Sequence, residues 1–308
     1  MNIFLATDYS TKVMNAERYA FELAKNTNST LTIVHVYEIP FSFPVESSEY
    51  IRESERLRKF ELQKLKLHCE TILHSLRIKQ NELGWECLVL EGPVEKEIRN
   101  EAKRTHADLI ITGTHNTGGI LDIFKENHAW ELIKKASTPI LSIPKNALFT
   151  NIKKIVFATE YRKGEITGLQ FLIKLAEQFD AELTILHITT TKITRESEDI
   201  IFNQFQEDLK TNRSNYKLNI KLEYATDVAE GINNYCSSNN IDWLVMSHSK
   251  KLLLEKLFVP GKSITKELSL NSNTPLLAVP DFYVSDNKEE FESISETLIF
   301  KKKDYTPG

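Results

Sequence analysis

The sequence predicts an α/β protein made of two tandem, doubly wound, open parallel sheets. Four short segments recur in the same order in the two halves of the chain. NIFLATDYS near the start resembles KIVFATEYR at 154–162, and STLTIVHVYE (29–38) resembles AELTILHITT (181–190). HADLIITGTH (106–115) resembles NIDWLVMSHS (240–249), and STPILSIP (137–144) resembles NTPLLAVP (273–280). Ordered self-similarity of this kind is the signature of a tandem duplication. Within each half, short apolar runs alternate with stretches of helical periodicity, and that alternation points to a parallel sheet covered on both faces.

Each element of the first half has a local reason. Ile3–Ala6 is a short apolar strand. In NAERYAFELAKNT, Ala16, Tyr19, Ala20, Leu23 and Ala24 recur at helical spacing. Leu31–Val36 is rich in β-branched residues and reads as a strand. The charged stretch 51–80 carries Leu65, Cys69, Ile72, Leu73 and Leu76 on one stripe, so it predicts a long amphipathic helix. WECLVL is a third strand, and GPVEKEIRNEAKRTH opens a helix with Pro93 at an early position. DLIITG is a fourth strand, HAWELIKKA a helix and PILSIP the closing strand. The second half repeats this order with a shorter middle.

The 308 residues suit two domains at about 150 residues each. The expected boundaries are 1–147 and 152–284, with a charged tail over 285–308. A hydrophobic fraction of 41% and a charged fraction of 27% fit a globular chain. The net charge of −4 gives no field for nucleic acid. No run approaches the ~18 apolar residues of a membrane helix, and MNIFLATDYS lacks the basic start and cleavage site of a signal peptide. Cys69, Cys87 and Cys236 form no CxxC pair, which argues against a disulfide framework or zinc site and for a reducing, cytoplasmic setting. Cys87 and Cys236 read as small buried hydrophobes.

In a doubly wound sheet the ligand crevice lies at the carboxyl ends of the strands, where strand order reverses. With the first strand central, that point falls between strands one and four. Asp8 ends the first strand and Gly113 ends the fourth, so GTHNTGGILDIFKEN (113–127) sits at the crevice. His115 and His248 end the two fourth strands and are candidate ligand contacts. His35 and His187, inside apolar strands, read as satisfied core histidines, because no nearby nucleophile and acid complete a triad.

These segments together resemble the universal stress protein family over residues 1–144 and 153–280. FLATDYS with LTIVHVYE is similar to the family's opening strands, EGPVEKEI with ADLIITGTH to its third and fourth, and KASTPILSIP to its last. The resemblance implies a Rossmann-like fold of the adenine-nucleotide-hydrolase type, with the two halves packed as a pseudo-dimer through their final strands. It also implies ATP or AMP as the candidate ligand, although the chain alone establishes no cofactor. ATP-binding members carry Gly-x-x-Gly, nine residues, then Gly-Ser or Gly-Thr, with an Asp ending strand one and a Val ending strand two. Asp8, Val36 and Gly113 match. Asn116 replaces the second glycine, Glu126 the third, and Asn127 takes the hydroxyl position; Gly118 and Gly119 are the residues able to compensate. Gly113, Gly118 and Gly119 also have a simpler reading, as residues needed for positive φ in a turn.

The second half departs further. Glu160 replaces the Asp, Met246 the first glycine and Ser249 the second. Gly261 and Ser263 stand near the expected helix start, but Gly261-Lys262-Ser263 is no Walker A loop, because Lys256 occupies the position of its first glycine.

A carboxylate about 4 Å from a phosphate charge costs roughly 4 kcal/mol at an effective dielectric of 20. That is nearly three decades of affinity at about 1.4 kcal/mol per decade. Glu126 therefore predicts weak or absent ATP binding in the first half. The expected function is a non-catalytic stress-response protein with degenerate nucleotide loops. The alternatives are an ATP- or AMP-binding sensor and, third, a nucleotide hydrolase, for which only Asp8 and Glu160 stand as acids. A homodimer and a separate protein partner both stay open at this point.

Overall fold

The structure is a computed structural model. It describes residues 1–11, 13–39, 48–113, 132, 133, 135–161, 165–190, 203, 205, 207, 218–248 and 274–280. Of the candidate site residues, His115, Asn116, Gly118, Asn127, Ser249, Gly261 and Ser263 lie outside the described residues, as does Glu126.

In the first half, β1 (Asn2–Thr7), α1 (Met14–Asn26), β2 (Thr30–Tyr37), α2 (Ser48–Leu76), β3 (Trp85–Glu91), α3 (Val94–Arg104), β4 (Leu109–Gly113) and β5 (Ile140–Ile143) follow the expected order. In the second half, β6 (Lys154–Ala158), α4 (Glu165–Phe179), β7 (Glu182–Thr189), β8 (Leu218–Tyr224), α5 (Val228–Asn239), β9 (Trp243–His248) and β10 (Leu276–Pro280) repeat it.

The strands form one ten-stranded sheet in the order β3-β2-β1-β4-β5-β10-β9-β6-β7-β8. Every neighbouring pair is parallel except β5 and β10, which run antiparallel with Leu276 opposite Ser142, Leu277 opposite Leu141 and Ala278 opposite Ile140. The expected pairing of the halves through their final strands is what the sheet shows. Because the seam is antiparallel, the carboxyl ends of β1–β5 and of β6–β10 point to opposite ends of the sheet.

Strand alternation sends side chains to two faces. Ile3, Leu5, Leu31, Ile33, Leu109 and Ile111 pack under α1 and α2, in a core that runs on under α4. Phe4, Val34, Ile110 and Ile140 join α3 and α5 on the other face. Both cores cross the seam without a break. In α1 the predicted stripe is buried throughout, with Ala16, Tyr19, Ala20, Leu23 and Ala24 all at most 2% exposed.

Turn chemistry repeats with the fold. After α1, Asn28 takes a left-handed φ of 50° and Ser29 N–H donates to Ala24 O; after α4, Asp180 does the same at 49° and Ala181 N–H donates to Ala176 O. Short polar side chains tolerate this conformation, which closes a helix end. At the amino ends of the strands, Asp108 accepts from Asn2 N–H at 2.7 Å, and Asp242 accepts from Lys153 and Lys154 N–H at 2.8 and 2.9 Å. The acid before each fourth strand thus pins the start of its first strand.

Among the boundaries that differ from the sequence expectation, two have a visible local cause. The long helix stops at Leu76 rather than 80, because Arg77 turns left-handed (φ 55°) and Ile78 N–H closes back on Leu73 O, which carries Ile78 into the core. Pro93 precedes α3 instead of lying within it, with an extended ψ of 124°.

Side chains also lock the halves together. Trp243, at the start of β9, is fully buried, and its Nε1–H donates to Tyr19 Oη of α1 at 2.7 Å. Phe149 and Phe179 pack edge-on against these two rings. Burial pushes the Tyr19 phenol well above its ordinary pKa, so it stays protonated. Tyr19→Phe would leave the Trp243 N–H buried without an acceptor, a loss of about 1–3 kcal/mol. Equilibrium urea denaturation should show a lowered midpoint; an unchanged midpoint would exclude this bond as a fastener between the halves.

Candidate functional site

Parallel pairing sets the crevice. Thr7 stands opposite His35, so Asp8 and Val36 follow side by side at the carboxyl ends of β1 and β2. Leu5 stands opposite Ile111, which brings the end of β4, Gly113, to the other flank of β1. The reversal of strand order between β1 and β4 is thus where the sequence places it, and Asp8, Val36 and Gly113 converge on one end of the sheet. In the second half, Ala158 opposite Met246 brings Glu160 and the end of β9, His248, to the corresponding end.

The individual roles are more specific. Asp8 is exposed, and its Oδ1 accepts from Ser10 N–H at 2.9 Å, tightening the turn after β1. It does not cap α1, whose N-cap position is Val13 with no side-chain cap. Val36 is half-buried against the core on the α3 side. Gly113 is buried, and its φ is not positive, which corrects the turn reading. A Cβ there would meet Val13 Cα and Cγ1 at 3.0 Å, so the residue is small because the β1–α1 loop lies on it. Glu160 is half-buried after β6.

Behind this crevice, on the α2 side, lies a polar cluster that pattern reading missed. Thr7 Oγ1 accepts from Tyr9 N–H at 3.0 Å and donates to the Glu17 carboxylate. Tyr9 has a left-handed φ of 61°. Its ring lies 4.2 Å from that of His35 and edge-on to His68, with Lys64 Nζ 4.2 Å from the centroid. His35 Nδ1–H donates to Thr7 O at 2.9 Å, and its Nε2 lies 3.7 Å from Glu61 Oε2. Tyr9 Oη donates weakly to Glu61 at 3.4 Å. Glu17, 1% exposed, pairs through Oε1 with His68 Nε2 at 2.9 Å.

The second half rebuilds the same group. Thr159 Oγ1 donates to Glu165 at 2.5 Å and accepts from Tyr161 N–H at 2.8 Å. His187 Nδ1–H donates to Thr159 O at 2.8 Å, and Tyr161 stacks on His187 with a left-handed φ of 58°. In each half the histidine follows the threonine by 28 residues. The carboxylates stand at different distances along the chain: Glu17, in the first turn of α1, follows Thr7 by 10 residues, and Glu165, the first residue of α4, follows Thr159 by 6. The visible signal is Thr-x-Tyr at the end of each first strand with a histidine in the next.

The order of these groups differs from that of a hydrolytic triad. In a hydrolytic triad the imidazole stands between hydroxyl and acid. Here the acid stands between hydroxyl and imidazole, so His68 bonds the acid and not the Thr7 hydroxyl. Among the described residues, no group of three acids, histidines or cysteines is placed to hold a metal.

Burial lowers the pKa of His35, against the Thr7 carbonyl and Glu61, and favours the neutral ring. The Glu17 hydrogen bond raises that of His68 above its ordinary value, against desolvation. The signs for folding are opposite. A raised histidine contributes its stability in full below its unfolded pKa of about 6.5 and loses it as pH rises through the folded value. The stability difference between the wild type and His68→Gln should therefore be largest below about pH 6.5 and shrink above it. Denaturant titrations across pH would test this, and a difference independent of pH would overturn it.

Comparison with known proteins agrees with this geometry. The model of the universal stress protein family matches residues 1–144 and 151–280. A universal stress protein of Methanocaldococcus jannaschii is 29% identical over 150 residues, covering 46% of this chain and 81% of that protein. The crystal structure of a universal stress protein from Archaeoglobus fulgidus shares the fold along 93% of this chain and 98% of its own, with 12% identity and a TM-score of 0.60. A shorter universal stress protein from Archaeoglobus fulgidus, solved in complex with dAMP, has 20% identity and a TM-score of 0.31, covering 46% of this chain and 96% of that one. Matched once in each half, in the order of its internal repeat, this chain belongs to the universal stress protein family as a tandem member.

Proposed function

We propose that this protein is a non-catalytic stress-response protein whose two crevices have lost tight ATP binding. The supporting observation is the role of Gly113, the one glycine of the first-half phosphate motif within the described residues. Its missing side chain makes room for Val13 of the β1–α1 loop, so packing alone accounts for it. Asp8 likewise bonds its own turn. The sequence adds Asn116 and Glu126 at two motif glycines, and Met246 where the second half would have its first. A carboxylate at a phosphate position opposes a triphosphate by Coulomb repulsion. The Thr7–Glu17–His68 order is not that of a hydrolytic triad.

The second reading is a nucleotide sensor for ATP or AMP. It is favoured by the register that sets Asp8 beside Val36 and brings Gly113 to the other flank of β1, where family members hold the nucleoside. Titration calorimetry of the full chain with magnesium-ATP and with AMP separates the two. The first reading expects no saturable heat from ATP in the low-micromolar range. Low-micromolar ATP binding that disappears in Asp8→Ala would overturn it in favour of the sensor. Phosphate release that vanishes in the same variant would instead establish a hydrolase.

A further inference from the structure

Two of the three cysteines meet in the fold. Cys69 lies on α2, fully buried in the stripe with Leu65, Ile72 and Leu73. Cys87 lies on β3, the outermost strand of the sheet, and is half-buried. Their sulfur atoms are 3.7 Å apart, within thiol hydrogen-bonding distance, although the residues are 18 apart in sequence. Cys236 belongs to the core on the opposite face, where burial pushes its thiol up to about 12. Cys87 thus departs from the expectation of a small buried hydrophobe, whereas Cys236 agrees with it.

We propose that Cys69 and Cys87 are a peroxide-modified dithiol in which Cys87 is the attacking thiol and Cys69 the resolving one. The two sulfurs differ in the way such a pair requires. Cys87 is half-buried on the outermost strand, and Cys69, on the inner stripe of α2, is fully buried. The Cys69 hydrogen bond, aided by the Lys66 ammonium, holds the Cys87 thiol below its ordinary value, and the same contact with burial pushes Cys69 well above it.

The chemistry balances with hydrogen peroxide as oxidant. The Cys87 thiolate attacks one peroxide oxygen, the O–O bond breaks, and the departing hydroxide takes a proton to become water. This leaves a sulfenic acid on Cys87. Cys69 sulfur then attacks the Cys87 sulfur, the S–O bond breaks, the Cys69 proton leaves with the hydroxide as a second water, and a disulfide forms. Peroxide is reduced by two electrons and the two thiols are oxidised by two. A disulfide needs sulfurs about 2.05 Å apart, so closure requires a small approach of α2 toward β3. The bond would tie the outermost strand to the helix that also carries Glu61, Lys64 and His68 against Tyr9.

The test uses the full chain. Protein treated with stoichiometric hydrogen peroxide is denatured, alkylated with N-ethylmaleimide and weighed intact. Reduced protein carries three adducts, one on each cysteine. Oxidised protein should carry one, on Cys236, with a Cys69–Cys87 linked peptide after digestion. Its thermal midpoint should rise by roughly 5 °C or more and return with dithiothreitol. In Cys69→Ser, dimedone should trap a sulfenic acid on Cys87; in Cys87→Ser, peroxide should leave both remaining thiols alkylatable. Three adducts after peroxide, or a Cys87 sulfinic acid with no link, would overturn the proposal. The wild-type adduct count needs no variant to fold.

Discussion

The antiparallel pairing of β5 with β10 is the contact on which the rest of the architecture depends. Each half alone would end in a closing strand with unpaired backbone donors and acceptors, the usual template for unwanted association. Joining those strands gives each one a partner on both sides. The same contact makes the apolar faces of the two halves continuous, so each side of the sheet has one core instead of two. The Trp243–Tyr19 bond then crosses the seam from within that core. Parallel strands, apolar on both faces, need cover on both, and helices from both halves provide it.

The seam also decides how the two crevices relate. Because strands reverse direction there, the β1–β4 crevice and the β6–β9 crevice open at opposite ends of the sheet. One small ligand cannot bridge them, so each half presents its own site. The two are not equivalent. Asp8 becomes Glu160, and the carboxylate that holds the first-strand threonine follows it by 10 residues in one half and by 6 in the other. Thr7 and Thr159 nonetheless make the same bonds to tyrosine and histidine. The fold has kept the hydrogen-bond pattern behind each crevice while the residue supplying the acid changed, as expected when burial demands an acceptor for a hydroxyl but not one from a particular chain position.

The long helix α2 links these themes. Its apolar stripe anchors it to the core, and Glu61, Lys64 and His68 beside that stripe surround Tyr9. Cys69, next to His68, faces Cys87 of the outermost strand. His68 and one thiol of the pair therefore sit one residue apart on the same helix.

Local pattern alone determined the order of strands and helices, the duplication, the point of strand reversal and the stripe of α1, because period and propensity act over a few neighbouring residues. It located Asp8 and Gly113 at one end of the sheet, through the strand ends that the doubly wound order brings together, and the family resemblance added Val36. It could not assign Gly113 its packing role, because Val13 approaches it only after the β1–α1 loop folds over β4. It read His35 and His187 as satisfied residues, and their bonds to Thr7 and Thr159 agree, but the surrounding cluster draws Glu61 and His68 from a helix far along the chain. The end of α2 at Leu76 was set by the core's demand for Ile78. Only the tertiary structure brought Cys69 to Cys87 and Tyr9 to Glu61, because side chains so far apart in sequence meet through packing, which leaves no periodic trace.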